Sequence, residues 1–76
     1  MSSITKYHAF LKAVECGSFT KAAAALDYSQ SGISRMIADL ESEWNISLLE
    51  RSSARLSLTA EGLSVLPLVQ EICNAE

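Results

Sequence analysis

The chain carries few groups suited to covalent chemistry. His8 is its single histidine, and no carboxylate or thiol falls beside it at helical spacing, so no base and nucleophile pair is formed. Cys16 and Cys73 lie far apart without companion ligands, and the three glycines make no phosphate-cradling loop. This spacing gives neither a disulfide framework nor a zinc site. What remains is a run of hydrogen-bonding side chains from Ser29 to Arg35. On a helix, at about 100° per residue, Ile33, Met36, Ile37, Leu40 and Trp44 share one arc, opposite Ser31, Ser34, Arg35, Ala38 and Ser42. A solvated helix usually fills its outer side with Glu, Lys and Gln. Small hydroxyl residues around one arginine suit a helix that must come close to another surface, and the surface expected here is the major groove of a DNA duplex.

Seventy-six residues bound the chain to one modest core, and 49% hydrophobic residues with one proline exclude disorder. No apolar run approaches the roughly 18 residues of a membrane span, and no basic then apolar leader opens the chain, so a cytoplasmic protein with no membrane partner is expected. The net charge of −3 argues against a nucleic-acid partner, because phosphate binding usually needs a basic surface. Its distribution weakens that objection. Residues 17–37 carry Lys21 and Arg35 against Asp27, and residues 48–58 carry Arg51 and Arg55 against Glu50, so each window is +1 and the remainder is −5.

Several elements must position these groups. Ser2 or Ser3 can cap a first helix that buries Ile4, Tyr7, Phe10, Leu11 and Val14 and ends at Gly17, with His8, Lys12 and Glu15 along a solvated flank. Ser18 caps a second helix, Phe19 to Leu26, whose four alanines from Ala22 to Ala25 let a neighbour approach closely. A short turn at Asp27-Tyr28 leads to a third helix capped by Ser29, and two helices so joined make a helix-turn-helix unit. Gly32 suits the crossing point of these helices, and Asn45 can close the third by adopting the left-handed conformation. Residues 46–51 and 55–58 read as a short hairpin with an arginine on each arm, a wing. Thr59 caps a final helix with Glu61 in its first turn. Leu63, Val65, Leu66, Leu68, Val69, Ile72 and Cys73 cover more than half its circumference, so it is expected to bury against more than its own domain. Pro67 inside it should kink it. The apolar pattern runs on without a closing glycine, which points to a fragment of something longer or to a helix that pairs with its own copy.

Taken together, Gly17-Ser18-Phe19-Thr20, Ala22-Ala23, Leu26, Ser29-Gln30-Ser31, Ser34-Arg35, Ile37, Leu40-Glu41, Leu48, Arg51, Leu58-Thr59, Gly62 and Pro67 resemble the N-terminal DNA-binding domain of LysR-type transcriptional regulators. The match runs in register from about Ile4 to the end. The resemblance implies a mainly α fold, a winged helix-turn-helix with a three-helix core, a short β-hairpin wing and a long C-terminal linker helix. It divides the chain into a DNA-binding unit, 1–58, and a linker and dimerisation helix, 59–76. It also implies promoter DNA as partner, a homodimer through the last helix, a dimer or tetramer for the full-length protein, and a small-molecule effector only in a further domain. No cofactor is expected in this one. Gly32, Asn45 and Leu49 depart from the residues usual in that family, which are alanine or proline, glycine, and phenylalanine.

The expected DNA contacts are Ser18, Thr20, Lys21, Ser29, Gln30, Ser31, Ser34, Arg35, Arg51 and Arg55. Arg35 can be bidentate to guanine or grip a phosphate, Gln30 can reach a base edge, and Ser31 and Ser34 suit phosphate or a thymine methyl. Lys21, Thr20 and Ser18 are reasonable phosphate contacts, Arg55 suits phosphate or the minor groove, and Arg51 could instead be held by a carboxylate of the domain. The expected dimer contacts are Leu63, Leu66, Val69, Ile72 and Cys73. Acid at Asp39, Glu41 and Glu43 should repel phosphate, so that the third helix enters the groove by its N-terminus. The alternative is a protein-interaction and oligomerisation module acting through the apolar last helix.

Overall fold

The computed structural model describes residues 3–51 and 56–74, leaving aside the side chains of Ser3 and Arg51. Four helices and one hairpin follow in the order α1 (Ser3–Cys16), α2 (Phe19–Leu26), α3 (Gln30–Trp44), β1 (Leu49–Arg51), β2 (Leu56–Leu58) and α4 (Ala60–Asn74). The winged helix-turn-helix expected from the sequence is the fold observed. Ser2, the tip residues 52–54 and Arg55 lie outside the described residues.

Each helix boundary has a local cause. Gly17, at φ 66°, turns the chain out of α1. Ser18 stands in extended conformation and its Oγ accepts from the Lys21 N–H at 3.2 Å, which starts α2. Asp27 ends that helix at φ 60°, with its own N–H given to the Ala24 carbonyl and the Tyr28 N–H to the Ala23 carbonyl. This 6→1 and 5→2 pair is the usual left-handed helix stop, with Asp in place of Gly. Ser29 Oγ then accepts from the Gly32 N–H at 3.0 Å and opens α3, and Asn45, at φ 56°, closes it as expected.

Ala9, Phe10 and Ala13 of α1, Phe19, Ala22 and Ala23 of α2, Ile33, Met36, Ile37 and Leu40 of α3, Leu48 and Val69 make up the core. Two differences from the sequence reading concern alanine. Ala9 and Ala13, which carry almost no hydrophobic signal, are fully buried, whereas Tyr7, Leu11 and Val14 are only partly so. Of the four alanines of α2, Ala22 and Ala23 face the core while Ala24 and Ala25 are exposed. Helix axes approach closely only where both partners are small, and the larger residues then fall at the edges of the contact. Trp44, expected in the core, is also partly exposed, with its ring stacked on Tyr7 at 5.8 Å between centroids.

The hairpin pairs antiparallel, Leu49 opposite Leu58, Glu50 opposite Ser57 and Arg51 opposite Leu56. Leu49, Leu56 and Leu58 turn inward while Glu50 and Ser57 face solvent, as strand alternation requires. The Leu56 N–H reaches the Gly17 carbonyl at 3.3 Å, which ties the wing to the turn between α1 and α2. Glu41 holds its other end, its Oε2 accepting from the N–H groups of Leu48 and Leu49 at 2.7 and 3.4 Å.

Thr59 caps α4 as expected, its Oγ1 accepting from the Gly62 N–H at 2.9 Å and donating to the Ser47 carbonyl. The helix runs unbroken through Pro67, which is exposed. The close-approach glycine is Gly62, not Gly32. A Cβ at Gly62 would stand 2.2 Å from the Leu48 carbonyl oxygen and 3.1 Å from a Leu58 methyl, whereas one at Gly32 would meet only the Ser29 hydroxyl. Gly62→Ala is therefore expected to separate α4 from the hairpin and to destabilise the domain by about 1–3 kcal/mol, as overpacking does. Urea unfolding of the variant beside the wild type measures this, and equal midpoints would contradict the close approach.

Candidate nucleic-acid interface

The helix-turn-helix brings the first turns of α2 and α3 side by side. Thr20 Oγ1 of α2 donates to Gln30 Oε1 of α3 at 3.2 Å. Ser29 Oγ lies 3.4 Å from Ser31 Oγ while accepting the capping bond from Gly32. Ser18 and Ser29 are both N-caps, and a hydroxyl that accepts from an amide still has its own O–H to give to an anion. Neither helix has an acidic residue in its first turn, so the positive ends of two helix dipoles share one surface, with Asp27 exposed in the turn between the helices.

Thr20, Lys21, Ser29, Gln30, Ser31 and Arg35 are exposed, and Ser18 and Ser34 are half-buried. The outer arc read from the sequence, with Ala38 and Ser42 further along, is the exposed side of α3. Arg55 and the Arg51 side chain, both expected at DNA, lie outside the described positions. The backbone of Arg51 lies in β1, opposite Leu56.

The acidic half of α3 makes contacts within the domain. Glu41 is turned inward as the hairpin clamp, and Asp39 and Glu43 are paired with Lys6 of α1, whose Nζ lies 3.7 Å from Asp39 Oδ2 and 3.0 Å from Glu43 Oε2. All three carboxylates have partners within the domain, but the single charge of Lys6 offsets only part of theirs, so this end of α3 stays net negative. Sequence reasoning missed Lys6, because its partners lie 33 and 37 residues away and no local spacing links them. Its side chain is only 15% exposed. The hydrogen bond that Lys6 donates to Glu43, with the charges of Glu43 and Asp39, raises the Lys6 pKa against the opposing effect of desolvation.

A raised lysine pKa stabilises the fold while the amine is charged, and that contribution is lost as pH climbs through the folded-state value. The stability difference between wild type and Lys6→Met should thus stay level near neutrality and shrink above 10.5, the ordinary lysine value. Urea midpoints across that range measure it, and a difference that grows with pH would contradict the pairing.

The expected dimer residues do not form one surface. Val69 is 2% exposed and belongs to the chain's own core, and Leu66 and Cys73 pack against that core. Leu63 and Ile72 are open, at 62% and 43% exposed, but nine residues of helix set them half a turn apart, on opposite flanks of α4. Leu68, at 59%, is the exposed neighbour of Ile72. These two, with Val65, Val69, Tyr7 and Trp44, line a groove of about 360 Å³. The breadth of apolar surface on α4 thus serves two faces, one inside the domain and one outside it. Among the described residues no helix is long and apolar enough to cross a membrane.

The sequence profile of the bacterial regulatory helix-turn-helix proteins of the lysR family matches residues 4–63. The HTH-type transcriptional regulator BlaA of Streptomyces cacaoi is 42% identical over 72 residues, 95% of this chain and 22% of that protein. The HTH-type transcriptional activator AaeR of Escherichia coli K12 is 42% identical over 62 residues, 82% of this chain and 20% of that protein. The chain thus spans about a fifth of the length of these curated relatives. Among solved structures, the CbnR DNA-binding domain in complex with DNA superimposes with a TM-score of 0.91 at 32% identity, covering 99% of this chain and 85% of that one. The BenM DNA-binding domain with catB site 1 DNA gives 0.91 at 36% identity, covering 99% and 83%. Profile, relatives and DNA-bound neighbours agree with the paired helix N-termini in favouring a DNA surface over a protein-interaction module, and the chain belongs to the LysR family of bacterial transcriptional regulators, as a winged helix-turn-helix DNA-binding domain.

Proposed function

We propose that this domain binds promoter DNA sequence-specifically, with α3 entering the major groove by its N-terminus. The observation that carries this reading is the Thr20–Gln30 hydrogen bond, which joins two helix starts that lack acid. Ser18, Lys21 and Ser29 take phosphates on the near strand, and Gln30, Ser31, Ser34 and Arg35 face the base edges. Arg51 and Arg55 reach phosphate or the minor groove from the wing. The unit 1–58 holds the DNA and the segment 59–76 links and dimerises. Such a domain works in the cytoplasm without a cofactor, and effector sensing falls to another part of a longer protein.

Neutralisation of about three to five phosphates gives log K a slope of roughly −3 to −4.5 against log salt. Arg35→Ala should weaken a selected duplex by about 1–3 kcal/mol if the guanidinium is bidentate to guanine. Fluorescence anisotropy on selected and random duplexes measures both. Equal losses on the two duplexes would make Arg35 a phosphate contact, and a salt-independent affinity would remove the DNA reading.

The homodimer is supported by the open side of α4, where Leu68 and Ile72 flank the groove beside Trp44. Pairing there places two half-sites one or more turns of DNA apart, about 34 Å or a multiple of it. Leu68→Glu, at an exposed position that leaves the core intact, should give monomers in sedimentation, and an unchanged dimer would exclude this face.

A further inference from the structure

A glutamine amide is ambiguous as a reader of bases. Its oxygen accepts and its nitrogen donates, so an unrestrained amide that turns over offers either edge to the groove. Gln30 is the first residue of α3, where helix packing does least to hold a long side chain, and it is exposed. Thr20 is the structural answer to that freedom. Its hydroxyl, at 3.2 Å from Gln30 Oε1, can donate to the amide oxygen, which has no proton of its own to give. Thr20 is β-branched and lies in the first turn of α2, so few side-chain rotamers are open to it. The backbone that carries the pair is fixed by the Ser18 and Ser29 caps and the left-handed stop at Asp27.

We propose that Thr20 is a positioning residue for base recognition, holding the Gln30 oxygen toward α2 so that Nε2 faces the groove as a donor. This rests on the reading that α3 lies in the major groove. A donor there suits guanine O6 or N7, thymine O4 or adenine N7, and is mismatched to cytosine, whose groove edge presents the N4 amino group. The domain therefore disfavours cytosine at the base that Gln30 meets, and the selectivity belongs to the pair rather than to Gln30 alone.

Selection from a random duplex pool, followed by affinities for the four bases at each position, tests this with wild type, Thr20→Val, Thr20→Ser and Gln30→Ala. Valine keeps the shape of threonine and removes the hydroxyl. At one base pair Thr20→Val should lose about 2- to 10-fold of the discrimination against cytosine, the effect of one neutral hydrogen bond. Thr20→Ser should restore it. Gln30→Ala should lose the same discrimination, and adding Thr20→Val to it should change that base pair no further. A Thr20→Val protein that keeps the wild-type preference, or loses affinity equally for every base at every position, overturns the inference while leaving DNA binding in place. Retention of no duplex by the wild type overturns the underlying reading instead.

Discussion

Leu48 is where the parts of this domain are joined. Its side chain is fully buried, its N–H is held by the Glu41 carboxylate of α3, its carbonyl accepts from the Thr59 N–H that precedes α4, and Gly62 of α4 packs against that carbonyl. One residue thereby sets the distance from the third helix to the hairpin and from the hairpin to the fourth helix. Both backbone groups of Leu48 lie beside the core, where a buried peptide group without a partner costs about 1–3 kcal/mol. The requirement to satisfy them explains why a carboxylate from α3, otherwise an odd choice beside DNA, is directed inward.

The same economy of charge governs α3. A helix presented to phosphates gains from a bare, serine-capped N-terminus and is harmed by free carboxylates further along. The acid at Asp39, Glu41 and Glu43 stands at the far end of α3, where Glu41 clamps the hairpin and Lys6 offsets part of the charge of the other two. The domain can carry a net charge of −3 and still expose Lys21 and Arg35 near the helix starts, with Asp27 in the turn between them. Net charge alone is a poor guide here because screening limits distant charges to about 10 Å at ordinary salt.

α4 shows how one amphipathic pattern can serve two masters. Val69, Leu66 and Cys73 complete the core or pack against it, while Leu68 and Ile72 stay open beside Tyr7 and Trp44. A hydrophobic arc wider than half a helix shows that a second surface must be met, but it carries no mark of which residues face inward. In this helix Val69 faces inward, while Leu63, Leu68 and Ile72 are left open.

Local signals were fully legible in the sequence. The serine caps at Ser18 and Ser29, the threonine cap at Thr59, the left-handed stop at Asn45, the alternation of the hairpin and the small outer arc of α3 each depend on residues within a few positions of one another. The motif run from Gly17 to Pro67 added the family. Tertiary structure alone decided what depends on distance along the chain: the Lys6 bridge to α3, the inward turn of Glu41, the burial of Ala9 and Ala13, the approach of Gly62 to Leu48, and the bond from Thr20 to Gln30. The physical reason is that spacing fixes which face of an element a residue occupies, whereas its partner is fixed only when a second element is packed against that face.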